Sequence, residues 1–176
     1  MRWLIIDGFG FHEAYFKTKQ YVHQKKLPKL SPFATHVFYQ GVGRCLWFVC
    51  GTDALEIKHT VSSFDEIYHK DLWAGIGLAC VYAGEVKMED LIQLKTYAGV
   101  YLPNLLQGAA FAAKARERAG LVTEYTKAAV STLTGLTVRK AAAVTDNAMA
   151  LIPAGMPAQK QYEIWKNTIS EMLMFK

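Results

Sequence analysis

The stretch that decides the fold is Gln40-Gly41-Val42-Gly43-Arg44-Cys45-Leu46-Trp47-Phe48-Val49, which combines two closely spaced glycines with an apolar run. Similar stretches begin at Asp7-Gly8, Ala74-Gly75 and Gln107-Gly108, and a weaker fifth copy begins at Ala141-Ala142. The first glycines are 33 residues apart from Gly8 to Gly41, then 34 to Gly75, then 33 to Gly108. A fixed period of this length is typical of helical repeat proteins.

The spacing of apolar residues predicts helices along the whole chain and no strand. Long helices are predicted at residues 2–22, 32–49, 63–83, 103–119 and 137–151, short helices at 53–62, 88–97 and 123–133, and an amphipathic terminal helix at 159–174. The prediction is an all-α fold of tandem αα-hairpin repeats of 33–34 residues, as a tetratricopeptide-size helical solenoid or a compact repeat bundle. Residues 1–176 form one domain, whose first repeat is predicted to be truncated.

The repeated glycines predict close approach of neighbouring helices. A glycine inside a helix costs about 1 kcal/mol relative to alanine, so its recurrence implies a gain in packing. Without Cβ atoms, two helices can pack backbone against backbone. A phosphate-binding loop is excluded, because the Gly-x-Gly pattern there needs a preceding strand and a third glycine.

Composition limits the class of protein. The chain carries a net charge of +5 and is 52% hydrophobic, with no nucleic-acid-binding motif and no signal peptide, so a cytoplasmic protein without nucleic-acid partners is predicted. The lysines between residues 17 and 29 are interpreted as a solvated loop, and a membrane-surface contact is the less favoured alternative. Cys45, Cys50 and Cys80 lack paired spacing and are predicted to be free thiols. Neither a metal site nor a cofactor is predicted, since the histidines lack ligand spacing.

Polar residues concentrate in the first two copies, and together with Gln107 of the fourth copy they give two candidate sets. The catalytic candidates are His12, Glu13 and Arg44, and the ligand-binding candidates are Asp7, Gln40 and Gln107. A carboxylate, an imidazole and a guanidinium can together perform acid–base chemistry or hold an anion. The competing interpretation is structural, because terminal repeats of a solenoid are polar caps and buried charges form pairs.

Five stretches carry a resemblance to a known family: Asp7-Gly8-Phe9-Gly10-Phe11-His12-Glu13, Gln40-Gly41-Val42-Gly43-Arg44, Asp71-Leu72-Trp73-Ala74-Gly75, Gln107-Gly108-Ala109-Ala110-Phe111 and Ala143-Val144-Thr145-Asp146. They resemble a bacterial family of unknown function that is associated with enediyne polyketide biosynthesis clusters. The chain resembles the C-terminal half of its members. The resemblance implies a role in specialised metabolism, and a protein partner or a missing N-terminal half, but no reaction.

Two functions remain open from the sequence. The first is an accessory helical-repeat protein that binds a protein partner or an apolar metabolite, with a homodimer as one form of partnership. The second is an enzyme that acts on a polyketide-derived substrate through His12, Glu13 and Arg44. Convergence of these three side chains in one cavity would favour the enzyme.

Overall fold

The computed structural model describes residues 3–84 and 86–175. The α-helices are α1 (Trp3–Phe16), α2 (Pro32–Val49), α3 (Ala54–Ser62), α4 (His69–Tyr82), α5 (Met88–Ala98), α6 (Leu102–Ala119), α7 (Glu124–Thr134), α8 (Val138–Ala150) and α9 (Ala158–Met174). A π-helical turn lies at Lys19–His23, and 3-10 turns lie at Glu66–Tyr68 and Gly99–Tyr101. The described residues contain no strand, so the all-α prediction is confirmed.

Capping residues set several helix ends where the sequence predicted them. The Ser31 hydroxyl accepts a hydrogen bond from Ala34 N at 3.4 Å, and Pro32 occupies the first turn of α2. The helix α6 ends at Gly120, whose φ of 66° lies in the left-handed region. These local signals act within one turn of the chain and are therefore readable from sequence.

Two predicted helices are shorter than expected. The first was predicted to reach residue 22, but its α-helical part, α1, ends at Phe16, and the chain continues into the π-helical turn at Lys19–His23. The third was predicted from residue 63, but α4 begins at His69, after a 3-10 turn. The predicted start of the first helix, at residue 2, lies outside the described residues.

The helices form two layers. The five long helices, α1, α2, α4, α6 and α8, pack side by side in chain order, each against the next. The short helices α3, α5 and α7 pack on one another in the same order behind them. The core lies between the layers, and its largest fully buried side chains include Trp47, Phe38, Ile57, Leu91 and Leu133.

Each interface among the first four long helices contains two glycine contacts in the same register. The first-glycine positions are Gly8, Gly41, Gly75 and Gly108, with Ala142 in α8; the second-glycine positions, two residues later, are Gly10, Gly43 and Gly77, with Ala110 in α6 and Val144 in α8. A Cβ on Gly41 would overlap the Asp7 carbonyl oxygen of α1. A Cβ on Gly10 would overlap the Phe38 carbonyl oxygen of α2. The predicted backbone-to-backbone packing is therefore present.

The terminal helix α9 crosses all five long helices. Tyr162 contacts Trp3 of α1 and Phe33 of α2, and Lys166 contacts Asp71 of α4. Trp165 contacts Phe111 of α6 and Thr145 of α8. Ile169 and Leu173 are fully buried, in agreement with the predicted amphipathic terminal helix. The helix α9 thus occupies the side of the long helices opposite to the short ones and joins the first copy to the last.

Candidate functional site

Three of the predicted site residues meet beneath α9. The Gln40 amide donates a hydrogen bond to Asp7 Oδ2 at 2.7 Å, and the Arg44 guanidinium donates to Asp7 Oδ1. The guanidinium also lies over the Phe11 ring, 5.0 Å from its centroid. Asp7 and Gln40 are buried, so this cluster neutralises a buried carboxylate.

The third ligand-binding candidate, Gln107, lies on α6, which is separated from α2 by α4, and has no recorded contact with this cluster in the described part of the chain. The side chain of Gln107 is fully buried, and both of its amide atoms lack a hydrogen-bond partner among the described residues. Tyr162 covers the cluster from α9, and burial together with the nearby Asp7 charge raises the pKa of its hydroxyl. Because Asp7, Gln40 and Gln107 are buried, a ligand would have to displace neighbouring side chains to reach them, and ligand binding by these residues stays a prediction.

His12 and Glu13 form a separate cluster at the end of α1. The Lys17 ammonium donates to both Glu13 carboxylate oxygens, at 2.7 and 2.9 Å. Hydrogen bonding by Lys17 holds the pKa of Glu13 below its ordinary value. The His12 Nδ1 atom lies 3.5 Å from Glu13, while Arg44 is bonded to Asp7 instead. The three catalytic candidates therefore use different partners, and none of their side chains is hydrogen-bonded across the two clusters.

Sequence reasoning missed a third cluster, which joins α2, α4 and α9. Asp71 Oδ2 lies 2.7 Å from His36 Nδ1, and Asp71 Oδ1 lies 3.1 Å from the Lys166 ammonium. The carboxylate is 3% exposed, whereas His36 borders an open polar cavity of about 190 Å³. A carboxylate that holds one imidazole nitrogen leaves the other available as a base. The same contacts also tie α9 to the two long helices.

No sequence motif links these three residues. His36 and Asp71 lie one repeat apart, and Lys166 is 95 positions beyond Asp71. The available signal was a charged residue, Asp71, directly before the apolar run of α4. Its burial required a cation from elsewhere, but only the folded chain shows that α9 supplies one.

The Asp71 cluster makes stability depend on pH. Burial by itself would raise the pKa of Asp71, but the charge of Lys166 and the hydrogen bond with His36 outweigh it, so the pKa is lowered. A lowered carboxylate pKa gives stability that is present above the unfolded-state value of about 3.9 and is lost as the pH falls through the folded-state value.

We therefore expect the unfolding free energies of the wild type and of Asp71→Asn to converge as the pH falls below about 4. Urea denaturation across a pH series measures this difference. If the difference in unfolding free energy stayed constant down to pH values well below the carboxylate range, the ionised form of Asp71 would not be what stabilises the fold.

A small apolar cavity lies where α9 meets α1 and the end of α8. Its lining includes Trp3, Leu4, Met149, Ile152 and Trp165, and its volume is about 160 Å³. Cavities that hold drug-sized molecules measure about 300–1,000 Å³, while one of about 150 Å³ accommodates benzene. The cavity therefore fits a single small ring and is too small for a polyketide.

The outward side of α1 is apolar and exposed. The exposed or partly exposed residues Ile5, Gly8, Phe9, His12 and Phe16 lie on one helical stripe, here named the α1 face. Ile5 is 74% exposed, Phe16 is 70% exposed, and the His12 ring rests on Phe16 with centroids 4.8 Å apart. A contiguous apolar surface of this kind marks an interaction site more often than isolated apolar residues do.

The equivalent faces of α2, α4 and α6 are buried by the preceding long helix. Three residues before their first glycines stand Phe38, Leu72 and Leu105, all 0% exposed, where α1 has Ile5. One residue after the first glycines stand Val42, Ile76 and Ala109, also 0% exposed, where α1 has the 45% exposed Phe9. The α1 face is thus a helix-packing surface that no described helix covers.

Residues 3–84 and 86–175 contain neither a candidate metal site nor a candidate membrane-spanning helix. No group of three or more His, Cys, Asp or Glu side chains is placed to hold a metal ion. No helix in these residues combines the length and the apolar character that crossing a membrane requires.

Comparison with known proteins gives one match. The family model described as "Protein of unknown function (DUF1702)" matches residues 1–173. No curated protein and no solved structure matches the chain.

Proposed function

Because the chain belongs to the DUF1702 family of proteins of unknown function, we propose a function from its geometry: it is a helical-repeat protein that binds another polypeptide through the α1 face. We propose further that the stacked long and short helices are tandem αα-hairpin repeats of a solenoid. The shared register of the glycine contacts supports this, since α1, α2, α4 and α6 pack on one another through equivalent positions.

One observation carries the binding proposal. The position occupied by Ile5 is fully buried in α2, α4 and α6 but is 74% exposed in α1. Leaving a large aliphatic side chain in water forgoes about 1.5–3 kcal/mol of burial energy. Phe9 and Phe16 on the same stripe add to this gain, so covering the face with a partner is favourable.

A polypeptide fits the exposed surface better than an apolar metabolite. The apolar cavity beside α9, of about 160 Å³, holds only a small ring. A larger cavity of about 470 Å³ by α6, α7 and α8 is bordered by the charged residues Glu117, Lys127 and Arg139. The α1 face, in contrast, is apolar and extends over three turns, from Ile5 to Phe16.

The catalytic alternative has less support, because Glu13 pairs with Lys17 and His12, whereas Arg44 bonds with Asp7. An enzyme would need these groups to converge on one substrate.

The cellular context is also a proposal. The resemblance to a family associated with enediyne polyketide clusters supports an accessory role in polyketide-type specialised metabolism. In this role the chain acts in the cytoplasm as an assembly component and requires no cofactor. The partner is then encoded near the chain's own gene, either as a separate protein or as an N-terminal half of the same polypeptide.

Co-expression with the products of neighbouring genes, followed by affinity capture and mass spectrometry, tests the proposal. We expect the wild type to retain a partner and Ile5→Glu to lose it by at least about tenfold, because a buried unpaired carboxylate costs more than the 1.4 kcal/mol that a tenfold change requires.

The matched control for this capture experiment is Val100→Glu, which places the same charge at another exposed apolar residue, outside the α1 face. This variant should retain the partner. Equal retention by the wild type and Ile5→Glu would contradict binding through the α1 face.

A further inference from the structure

We infer that the partner of the α1 face is a helix of the same kind as the long helices of this chain, and that it comes from a polypeptide segment other than a second copy of these 176 residues. This inference rests on the proposed function and names its partner. It follows from the register of the existing interfaces and from the character of the last long helix.

The existing interfaces obey one rule. At each first glycine, the neighbouring carbonyl belongs to the residue just before the first glycine of the preceding helix: Gly41 meets Asp7, Gly75 meets Gln40, and Gly108 meets Ala74. At each second glycine, the neighbouring carbonyl belongs to the residue three before the first glycine of the following helix: Gly10 meets Phe38, Gly43 meets Leu72, and Gly77 meets Leu105. The rule holds for all three interfaces.

In α1 one half of this rule is unfulfilled. No described atom lies within 4 Å of a Cβ built on Gly8, although Gly41, Gly75 and Gly108 each face a carbonyl there. A glycine in this exposed helix costs about 1 kcal/mol relative to alanine and gives no packing gain within the described residues. By continuity with the three interfaces, the missing element is the backbone of a preceding long helix.

The register specifies what the docking helix must present. It needs glycine or alanine where the Ile5 carbonyl arrives, since Gly10, Gly43 and Gly77 serve the equivalent carbonyls. The carbonyl three residues before that small residue then faces Gly8, as the Gln40 carbonyl faces Gly75. The side chains of the docking helix on either side of that small residue must be apolar, because they would contact Ile5, Phe9 and Phe16.

A second copy of the chain does not meet these requirements. The required side of α1, α2, α4 and α6 is already covered by the next long helix. In α8 that side is not covered by a further long helix, but Val144 occupies the second-glycine position and Lys140 and Asn147 are exposed beside it. Docking α8 on the α1 face would place a branched side chain at the close contact and bury a lysine against apolar residues.

A symmetric pair of α1 faces fails for a different reason. A two-fold axis brings the same surface of each copy together, so Gly8 would lie near Gly8 and both copies would present the first-glycine side. The second-glycine side of α1 is covered by α2 and is absent from such a dimer. The two ends of the helix row therefore differ: the α8 end is polar like a cap, and the α1 end is apolar and open.

Docking of a helix on the α1 face can be tested by adding a repeat to the chain. A duplicate of residues 31–68, fused directly before residue 2 in place of Met1, sets the duplicated Gly41 34 residues before Gly8, the spacing between Gly41 and Gly75. Ile5→Cys reports on the α1 face through its reaction rate with a thiol reagent. The matched control carries Gly43→Leu in the duplicate only, which fills the position that receives the Ile5 carbonyl.

We expect the thiol introduced by Ile5→Cys to react at least about tenfold more slowly in the extended chain than in its Gly43→Leu control, since only the first can close the backbone contact. Equal rates in the two extended chains would overturn the inference. Loss of the captured partner with Ile5→Glu despite equal rates would leave the proposed function intact and remove only the repeat-type partner.

Sedimentation equilibrium tests the exclusion of a second copy. We expect no self-association that depends on Gly8, so the wild type and Gly8→Leu should have the same mass in solution. A wild-type dimer that Gly8→Leu dissociates would identify the occupant as a second copy and overturn the inference.

Discussion

Replacing Gly41 with alanine is expected to destabilise the fold by about 3 kcal/mol or more, at or above the upper end of the cost of overpacking. The added methyl group would overlap the Asp7 carbonyl oxygen and approach Phe11 N to 2.6 Å. Both atoms belong to the backbone of α1, so no side chain can rotate away and the two helices must separate. Chemical denaturation of the purified variant measures the loss, which is a large fraction of the roughly 5–15 kcal/mol typical of a domain.

The matched control is Gly8→Ala, the same substitution at the same position of the repeat. Because no described atom lies within 4 Å of a Cβ at Gly8, this variant should gain up to about 1 kcal/mol from helix propensity. The two variants are thus expected to change stability in opposite directions. Similar effects at both sites would show that local helix propensity, and not close helix packing, explains the repeated glycines.

Replacing Asp71 with alanine is the second change expected to have a large effect. It would leave the Lys166 ammonium, whose side chain is 12% exposed, without its carboxylate partner. Removing one member of a buried ion pair typically costs about 3–5 kcal/mol. The same change would remove the contact of α4 with α9 and its contact with His36 on α2, so thermal denaturation should show a strongly lowered transition.

Asp146→Ala provides the control for Asp71→Ala. Asp146 also forms an ion pair between two helices, with Lys114 at 2.6 Å, but its side chain is 61% exposed. Exposed pairs of this kind contribute about 0–1 kcal/mol. If both variants lost stability equally, burial of the Asp71 cluster would not be the reason for its importance.

The close packing of the long helices could be predicted because each glycine-containing stretch carries the same local information. A glycine pair recurs with one spacing, and Ser31 and Gly120 mark helix ends within a single turn. The close approach of α1 and α2 then follows from the absence of side chains at Gly10 and Gly41. The end of α1, where the chain changes to a π-helical turn, and the start of α4, after a 3-10 turn, depend on local backbone geometry that apolar periodicity does not reveal.

The candidate site was predicted only in part. Asp7 and Gln40 occupy equivalent positions in neighbouring copies, so their proximity could be expected from the sequence, whereas Arg44 was grouped with His12 and Glu13 but bonds with Asp7. The position of α9 was not predictable in this way, because the terminal helix has no counterpart in the repeat. Lys166 reaches Asp71 across the face of the long helices, and such a contact depends on how the whole chain packs.

The most direct test of the central claim is the reactivity of the thiol introduced by Ile5→Cys in the chain extended by residues 31–68. We predict that this thiol reacts at least about tenfold more slowly than the same thiol in the extended chain with Gly43→Leu in the duplicate. Equal reaction rates would contradict the claim that the α1 face is the open end of a repeating helix interface.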